Sequence, residues 1–446
     1  MKATNTFKGT RDISGDDMRF RLQTLDTIRN VFELFGFEPL ETPVIERRGT
    51  LLGKYGEEAE NLLFMLGTPH DNGGLRYDHT VPLARFAAAH WQDMPKPYKR
   101  YALGPVFRAE NPQSGRYRQF YQCDFDTLGT GSVVVDAEIV AINYKVLAEL
   151  GFKDKQFAVQ VNDRKLLNSM VSEMGFNKAQ VPFILRAWDK LDKNSPDEVL
   201  DYLLSEAKKM ALSEKEVEQK YKSATLALLD ATTKSSQHIL DFLADRFKSE
   251  ESLNAVHDLR KLREQILSLG VPEVSFQINP LLARGLSYYT GPIFETVVRD
   301  GGVGSVTGGG RYDELISTMG GPDVPASGSS FGLDRLLVVT EQLGLRPKSS
   351  QTTKVFVSLF DSLDEKLTAY TLHVAGELRE NNIAAEVFSG ENTKLGKQIE
   401  LADKKNIPYV LIVGPDEMDK GLVTLKNLEN REEKKLSLEK LTSEIG

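Results

Sequence analysis

Three arginine-bearing segments hold the residues best equipped for chemistry. In the first, residues 107–126, Arg108, Arg116 and Arg118 surround a polar turn (Ala109-Glu110-Asn111-Pro112-Gln113-Ser114-Gly115) between apolar, strand-like runs at 98–107 and 119–128. A guanidinium is a planar fork that pairs bidentately with phosphate oxygens and stays charged at any working pH, so three of them on a loop over a sheet face describe a phosphate site. The plainer reading of that segment by itself is a solvated hairpin loop. In the second, Arg284-Gly285-Leu286-Ser287-Tyr288-Tyr289-Thr290-Gly291 runs into the strand-like residues 292–298, setting a cation and two phenols where a strand begins. The third, residues 328–336, passes from a glycine-rich strand into an apolar helix expected over 333–343, with Asp334 and Arg335 in its first turn. An arginine there opposes the helix dipole, which points to an anionic ligand rather than to stability.

In combination these segments resemble the signature motifs of class II aminoacyl-tRNA synthetases and, within that class, the histidyl-tRNA synthetase family. Residues 108–126 are similar to motif 2, Gly332 to Arg335 to motif 3, and Glu41-Thr42-Pro43-Val44-Ile45-Glu46 to the dimer-forming motif 1; these identify only the class. Residues 284–291 resemble the histidine-specific signature, supported by Gly308-Gly309-Gly310-Arg311-Tyr312-Asp313 and Leu75-Arg76-Tyr77-Asp78-His79-Thr80-Val81-Pro82. The likeness runs from Lys8-Gly9-Thr10-Arg11-Asp12 over essentially the whole chain.

The resemblance implies a two-step reaction. The carboxylate of histidine attacks the α-phosphate of ATP, and a terminal ribose hydroxyl of the histidine tRNA then takes the histidyl group. By match to the family, Arg108 holds the α-phosphate and substrate carboxylate, Glu110 contacts adenine, Phe120 stacks on it, and Arg116 and Arg335 bind the outer phosphates. Arg284 is the distinctive catalytic cation, and Mg²⁺ accompanies the β- and γ-phosphates of ATP with no protein-ligated metal. Neutral imidazole offers one N–H donor and one bare nitrogen, so a selective pocket needs an acceptor and a donor on opposite sides. By match to the family's carboxylate and tyrosine, Asp126 and Tyr289 would fill those roles, Tyr288 and Tyr312 would wall the pocket, and Asp78, Thr80 and Gln122 would meet the α-ammonium. The extra guanylate at the 5′ end of the histidine tRNA would be read around Gln113 and Arg116. Two departures from the family pattern stand out: Ser287 replaces an aspartate, and Asp78 and Asp126 stand where many bacterial relatives have glutamate, asking for a slightly closer pocket. The rival reading is a regulatory paralogue serving as binding subunit of ATP phosphoribosyltransferase; such proteins erode the ATP-binding arginines and lose the C-terminal domain, and both are kept here.

Composition bounds the partners. A net charge of −8 over 446 residues argues against a globally basic nucleic-acid binder, so a tRNA would meet local patches. The single cysteine, Cys123, excludes a disulfide framework and reads as a small packed apolar residue, and the six histidines lack metal-site spacing. No apolar run suits a membrane span and the N-terminus lacks the apolar core of a secretion signal, so the cytoplasm is expected.

The elements that must position these residues follow. A helix is expected over 18–35, ending at Gly36, then strands near 38–45, 62–65, 98–107 and 120–128, a helix over 133–150 and a strand at 157–162. This is an α+β catalytic domain with a mainly antiparallel sheet, in two parts, residues 1–164 and 271–345. Residues 165–270 are charged and helical; Ser195-Pro196-Asp197-Glu198 is a capping-box helix start. Their lysine and glutamate runs read as a solvated face, while the resemblance makes this an insertion domain lying over the acceptor arm. After a linker at 346–353, residues up to 446 alternate strand and helix, giving a small α/β domain with a largely parallel sheet. From 354 on, 13 Lys and Arg stand against 17 Asp and Glu, which argues against indiscriminate RNA affinity. By resemblance the domain binds the anticodon with help from Lys394, Lys397, Lys404 and Lys405; supporting a homodimer is the other reading it leaves open.

Overall fold

The computed structural model describes all residues except 1–4, 56–59, 68–71, 114, 193, 211, 284–287, 348–351, 362, 391–393 and 446. Helix α1 (Gly15–Leu34) buries Phe20, Ile28, Val31 and Phe32, apolar positions at helical spacing. Gly36 stops it at φ +78°, in the left-handed region glycine enters without steric cost. The chain pairs briefly at β1 (Glu38–Pro39), then leaves for a separate three-stranded sheet of β2 (Ile45–Arg47), β3 (Met65–Gly67) and β4 (Asn72–Leu75). The one strand expected over 38–45 is thus two, in different sheets, because Pro39 and Pro43 have no N–H to give a ladder. The run expected at 62–65 becomes strand only from Met65 onward.

Helix α2 (Thr80–His90) leads to the long hairpin β5 (Tyr98–Phe107) and β6 (Gln119–Leu128), and helix α3 (Val133–Glu149) and β7 (Phe157–Asp163) follow. After the helical block come β8 (Phe276–Ile278), β9 (Pro292–Val298), β10 (Thr307–Arg311) and β11 (Ala326–Gly332). They form one eight-stranded sheet in the order β1-β5-β6-β11-β10-β9-β7-β8. Only the outermost pairs, β1 with β5 and β7 with β8, run parallel, so the sheet is mainly antiparallel as expected.

Side chains alternate across a strand, and here the alternation divides the sheet by chemistry. On one face Phe125 and Phe331 meet Phe32 of α1, ring centroids 4.8 and 6.2 Å apart, within an apolar cluster that also takes in Cys123 and α3. Cutting Phe125 back to alanine there would cost about 3–5 kcal/mol. On the other face the register sets Arg100, Asp126 and Gly328 in one row, Ala102, Asp124 and Ser330 in the next, and Gly104, Gln122 and Gly332 in a third. The functional face is therefore the polar one, rigidly backed by aromatic packing.

Helices α4 (Arg164–Glu173), α5 (Val181–Asp189), α6 (Pro196–Lys209), α7 (Glu214–Ala231), α8 (Ser236–Arg246) and α9 (Glu250–Ser268) make up the block, with no strand among the described residues of 165–270. The capping box is present: Ser195 N–H donates to Glu198 Oε2 (2.8 Å) and Glu198 N–H to Ser195 Oγ (3.3 Å). Trp188, Leu203, Leu228 and Leu259 join the same apolar cluster as Val140 and Phe157, so the core of the block is continuous with that of the sheet. Helix α10 (Leu333–Gln342) continues directly from β11.

Contacts divide the chain into two compact units, Met1–Arg346 and Pro347–Gly446. The second contains β12 (Val355–Val357), α11 (Glu365–Glu380), β13 (Ala385–Val387), α12 (Leu395–Lys404), β14 (Tyr409–Ile412), β15 (Leu422–Asn427), β16 (Glu433–Ser437) and α13 (Leu438–Ile445). Its sheet, β13-β12-β14-β15-β16, is mixed rather than largely parallel: β12 pairs parallel with β13 and β14, while β15 and β16 are antiparallel. Strand β16 escaped the sequence reading because Glu433-Lys434-Lys435 is charged; an edge strand stays exposed on one side and carries no apolar alternation.

Candidate active site

Arg108 leaves β5 at its end and lies on a bed of aromatic rings. Its guanidinium sits 4.1 Å from the Tyr77 ring centroid and 5.0 Å from that of Phe120, Nε donates to the Tyr77 carbonyl (3.2 Å), and Nη2 reaches Gln122 Oε1 (3.5 Å). Gln122 in turn donates to Ser330 Oγ (2.8 Å). Across the turn Glu110 forms an ion pair with Arg116, and the backbones of Gln113 and Arg116 bond each other in both directions (3.1 and 2.8 Å). Arg335, in the first turn of α10, donates to the Ser305 carbonyl (3.0 Å). Its neighbour Asp334 is a hub: Oδ1 takes Arg11 (2.5 Å) and Arg21 (3.0 Å), and Oδ2 accepts the Tyr121 N–H (2.9 Å), tying the N-terminal arm, α1 and β6 to the start of α10.

Farther along the same face lies an aromatic chamber. Tyr288 stands edge-on to Tyr289 (centroids 5.1 Å apart) and to Tyr312 (5.8 Å). Tyr312 donates its hydroxyl to Asp126, whose other oxygen faces the buried Arg100 guanidinium at 2.7 Å. Arg100 also donates to the His79 carbonyl (3.2 Å). A Cβ on Gly328 would sit 2.1 Å from Asp126 Oδ1, and one on Gly310 would sit 2.8 Å from the Tyr289 ring, so glycine at both positions makes the room for this pair. Asp78 closes the other side. Its Oδ1 accepts the N–H groups of Thr80 (3.1 Å) and Val81 (3.0 Å) and the Tyr55 hydroxyl (3.2 Å), whereas Oδ2 is buried with no hydrogen-bond partner.

Burial sets the electrostatics. Loss of water raises Asp126 to about 6 against the pull of Arg100, and raises Asp78 to about 6 against the Val81 N–H and, farther off, Arg108. Both carboxyls are thus charged at neutral pH but close to taking up a proton. Burial, with Asp126 and Asp78 nearby, pushes the Tyr289 phenol upward, so it remains an O–H donor. A carboxylate acceptor and a phenol donor beside a cation on an aromatic ledge can hold a small zwitterion with a hydrogen-bonding aromatic ring.

A sequence profile described as histidyl-tRNA synthetase matches residues 9–336, and one described as an anticodon binding domain matches residues 354–446. The chain belongs to the histidyl-tRNA synthetase family. It is 37% identical to a histidine–tRNA ligase of Gloeobacter violaceus over 98% of this chain and 97% of that one, and 36% identical to one of Bacteroides fragilis over 97% of each. The solved histidyl-tRNA synthetase of Nostoc sp. PCC 7120 matches with a TM-score of 0.82 at 29% identity, covering 100% of this chain and 99% of that one. A Bacillus halodurans protein described as an ATP phosphoribosyltransferase regulatory subunit/histidyl-tRNA synthetase shares the fold at TM-score 0.73 and 21% identity, covering 92% of this chain and 98% of that one.

Of the site residues expected from the histidyl-tRNA synthetase resemblance, Arg108, Phe120 and Gln122 adjoin one another, as do Asp126, Tyr288, Tyr289 and Tyr312, and Asp78 and Thr80 adjoin Tyr288. Glu110 and Arg116 are brought together, though with each other. Arg284 and Ser287 lie outside the described residues. Arg100 and Tyr55 carry no expectation from the sequence, and Asp334 is expected there only as a first-turn residue, without its two arginine partners. Register could have found Arg100, since it stands directly opposite Asp126; Tyr55 had no local signal.

Proposed function

We infer that the protein is a histidine–tRNA ligase, forming histidyl-adenylate from histidine and ATP and transferring the histidyl group to the histidine tRNA. The observation that carries this is the placement, on one polar sheet face, of the Asp126–Tyr289 acceptor and donor pair and the Arg108 ledge.

In this reading Asp126 accepts the imidazole N–H, Tyr289 donates to the bare ring nitrogen, and the unpaired Asp78 oxygen takes the α-ammonium with Thr80 and Gln122. Adenine stacks on Phe120 near Glu110, and Arg116 and Arg335 bind the outer phosphates. Arg108 and Arg284 bridge the substrate carboxylate and the α-phosphate, neutralising charge as the carboxylate oxygen attacks phosphorus and pyrophosphate leaves. Among the described residues no cluster of three or more His, Cys, Asp or Glu suits a metal, so Mg²⁺ would ride on the β- and γ-phosphate oxygens and water, supplying charge neutralisation there. Gln113 and Arg116 would read the extra guanylate of the tRNA, and residues 354–446 the anticodon. The protein works as a homodimer in this proposal; Ile45 of motif 1 and Leu22 and Leu34 of α1 leave apolar side chains uncovered. No described helix is long and apolar enough to cross a membrane, and the proposed compartment is the cytoplasm. A regulatory, binding-only role has less support, because Arg108, Arg116, Arg335 and the anticodon-domain match are all present.

The test is charging of histidine tRNA transcripts with labelled histidine, with and without the extra 5′ guanylate. Charging that falls steeply without the nucleotide is expected; equal charging of unrelated tRNAs would contradict the assignment.

A further inference from the structure

The Tyr55 side chain is buried, between Asp78 and Tyr77. Its ring packs on Tyr77 at 4.7 Å between centroids, tilted by 42°, and Tyr77 in turn carries the Arg108 guanidinium, 4.1 Å from its centroid. Its hydroxyl donates to Asp78 Oδ1 (3.2 Å). That oxygen already accepts two N–H groups at the start of α2, so three donors converge on one carboxylate atom while the other, Oδ2, is left buried and unmatched. A buried carboxylate oxygen without a donor is costly, so Oδ2 is suited to take a donor from a ligand. The arrangement fixes the rotation of the carboxyl group and decides which oxygen stays vacant.

We propose that Tyr55 is a positioning residue for amino-acid recognition: its hydroxyl locks the Asp78 carboxylate so that Oδ2 faces the substrate ammonium, and its ring supports Tyr77 beneath Arg108. This rests on reading Asp78 as the ammonium site. The bland alternative is that Tyr55 merely fills the apolar cluster of Leu51, Leu83 and Tyr77. The two differ in one respect: filling needs the ring, locking needs the oxygen.

Tyr55→Phe separates them, since it keeps the ring and removes only the hydroxyl. Losing a hydrogen bond to a charged group predicts roughly a tenfold rise in the KM for histidine in ATP–pyrophosphate exchange. The KM for ATP should stay at its wild-type value, and the melting temperature should fall only slightly, by the loss of one buried hydrogen bond. Two inhibitors localise the effect. Histidinol carries the amine and imidazole but no carboxylate; imidazolepropionate carries the carboxylate and imidazole but no amine. Tyr55→Phe should weaken histidinol about as much as histidine and leave imidazolepropionate untouched. Asp78→Asn serves as the control on the underlying reading: it should weaken histidinol strongly. If Asp78→Asn does so and Tyr55→Phe leaves histidinol unchanged, or weakens both inhibitors alike, the positioning role is overturned while the ammonium site stands. If Asp78→Asn leaves histidinol unchanged, the ammonium reading itself fails.

Discussion

Replacing Arg100 by methionine, which fills similar space without charge, should convert the imidazole pocket from one that works at neutral pH into one that needs alkaline conditions. Asp126 is 3% exposed, its guanidinium partner 1%, and they are 2.7 Å apart. With that partner in place the carboxyl already stands at about 6, raised from 3.8 by burial and by neighbouring Asp124. A close arginine lowers a carboxyl pKa by about 1–3 units, so removing it should carry Asp126 to roughly 7–9. At pH 7 the group would then be largely protonated and would offer an O–H where histidine needs an acceptor.

The sign for stability follows. An acid raised in the folded state binds its proton more tightly there than when unfolded, so its favourable contribution is complete at low pH and is lost as pH rises from 3.8 through about 6. At 1.36 kcal/mol per unit this is about 3 kcal/mol in the native protein. In Arg100→Met the loss should extend to higher pH, and breaking the buried pair should cost about 3–5 kcal/mol at neutral pH. The assay is kcat/KM for histidine in pyrophosphate exchange between pH 5.5 and 9.5, with melting curves at each pH. The acid limb should move up by one unit or more from the region near 6, and Arg100→Lys should restore part of it. A folded Arg100→Met protein whose acid limb stays near 6 would refute the reasoning.

Other outcomes follow from the same geometry and, for Arg284, from the family resemblance. Arg284→Ala should lower adenylate formation by about 10²–10³ with the melting temperature kept, as for loss of one transition-state donor; normal turnover in single-turnover quench flow would remove its catalytic role. Gly328→Ala drives a methyl to within 2.1 Å of Asp126 Oδ1, so it should cost about 1–3 kcal/mol in denaturant titration and weaken histidine more than ATP. Asp334→Asn loosens Arg11 and Arg21 from the start of α10, and should raise the KM for ATP, through displaced Arg335, more than the KM for histidine. In the native enzyme kcat/KM for histidine should fall below pH about 6 more steeply than protonation of the free substrate's imidazole alone explains, because Asp78 and Asp126 both take up protons there as well.

The parts of this site legible in the sequence are those where a local rule is broken in a recognisable way. Arginines in a turn at 108–118 and at the first turn of α10 contradict simple stability logic, and the strands and helices around them follow from apolar period and caps such as Gly36 and Ser195. What was hidden depends on register and edges. Arg100 sits inside a strand that reads as ordinary; only its pairing opposite Asp126 makes it a buried counter-charge. Asp334 reads as a first-turn acid favoured by the dipole, yet it gathers two arginines from distant segments. Tyr55 follows a lone turn and gains meaning only where it meets Asp78. The split of residues 38–45 into two sheets and the antiparallel β15–β16 edge were likewise invisible, since prolines and surface charge obscure apolar alternation.

The central claim is that the chamber of Asp126, Tyr289 and Tyr312 selects an imidazole beside an ATP site. ATP–pyrophosphate exchange measured with each standard amino acid in turn tests it most directly. Exchange that requires histidine, and that is lost when Asp126 is replaced by alanine, is the expected result. Exchange driven by a different amino acid, or by none, would contradict it.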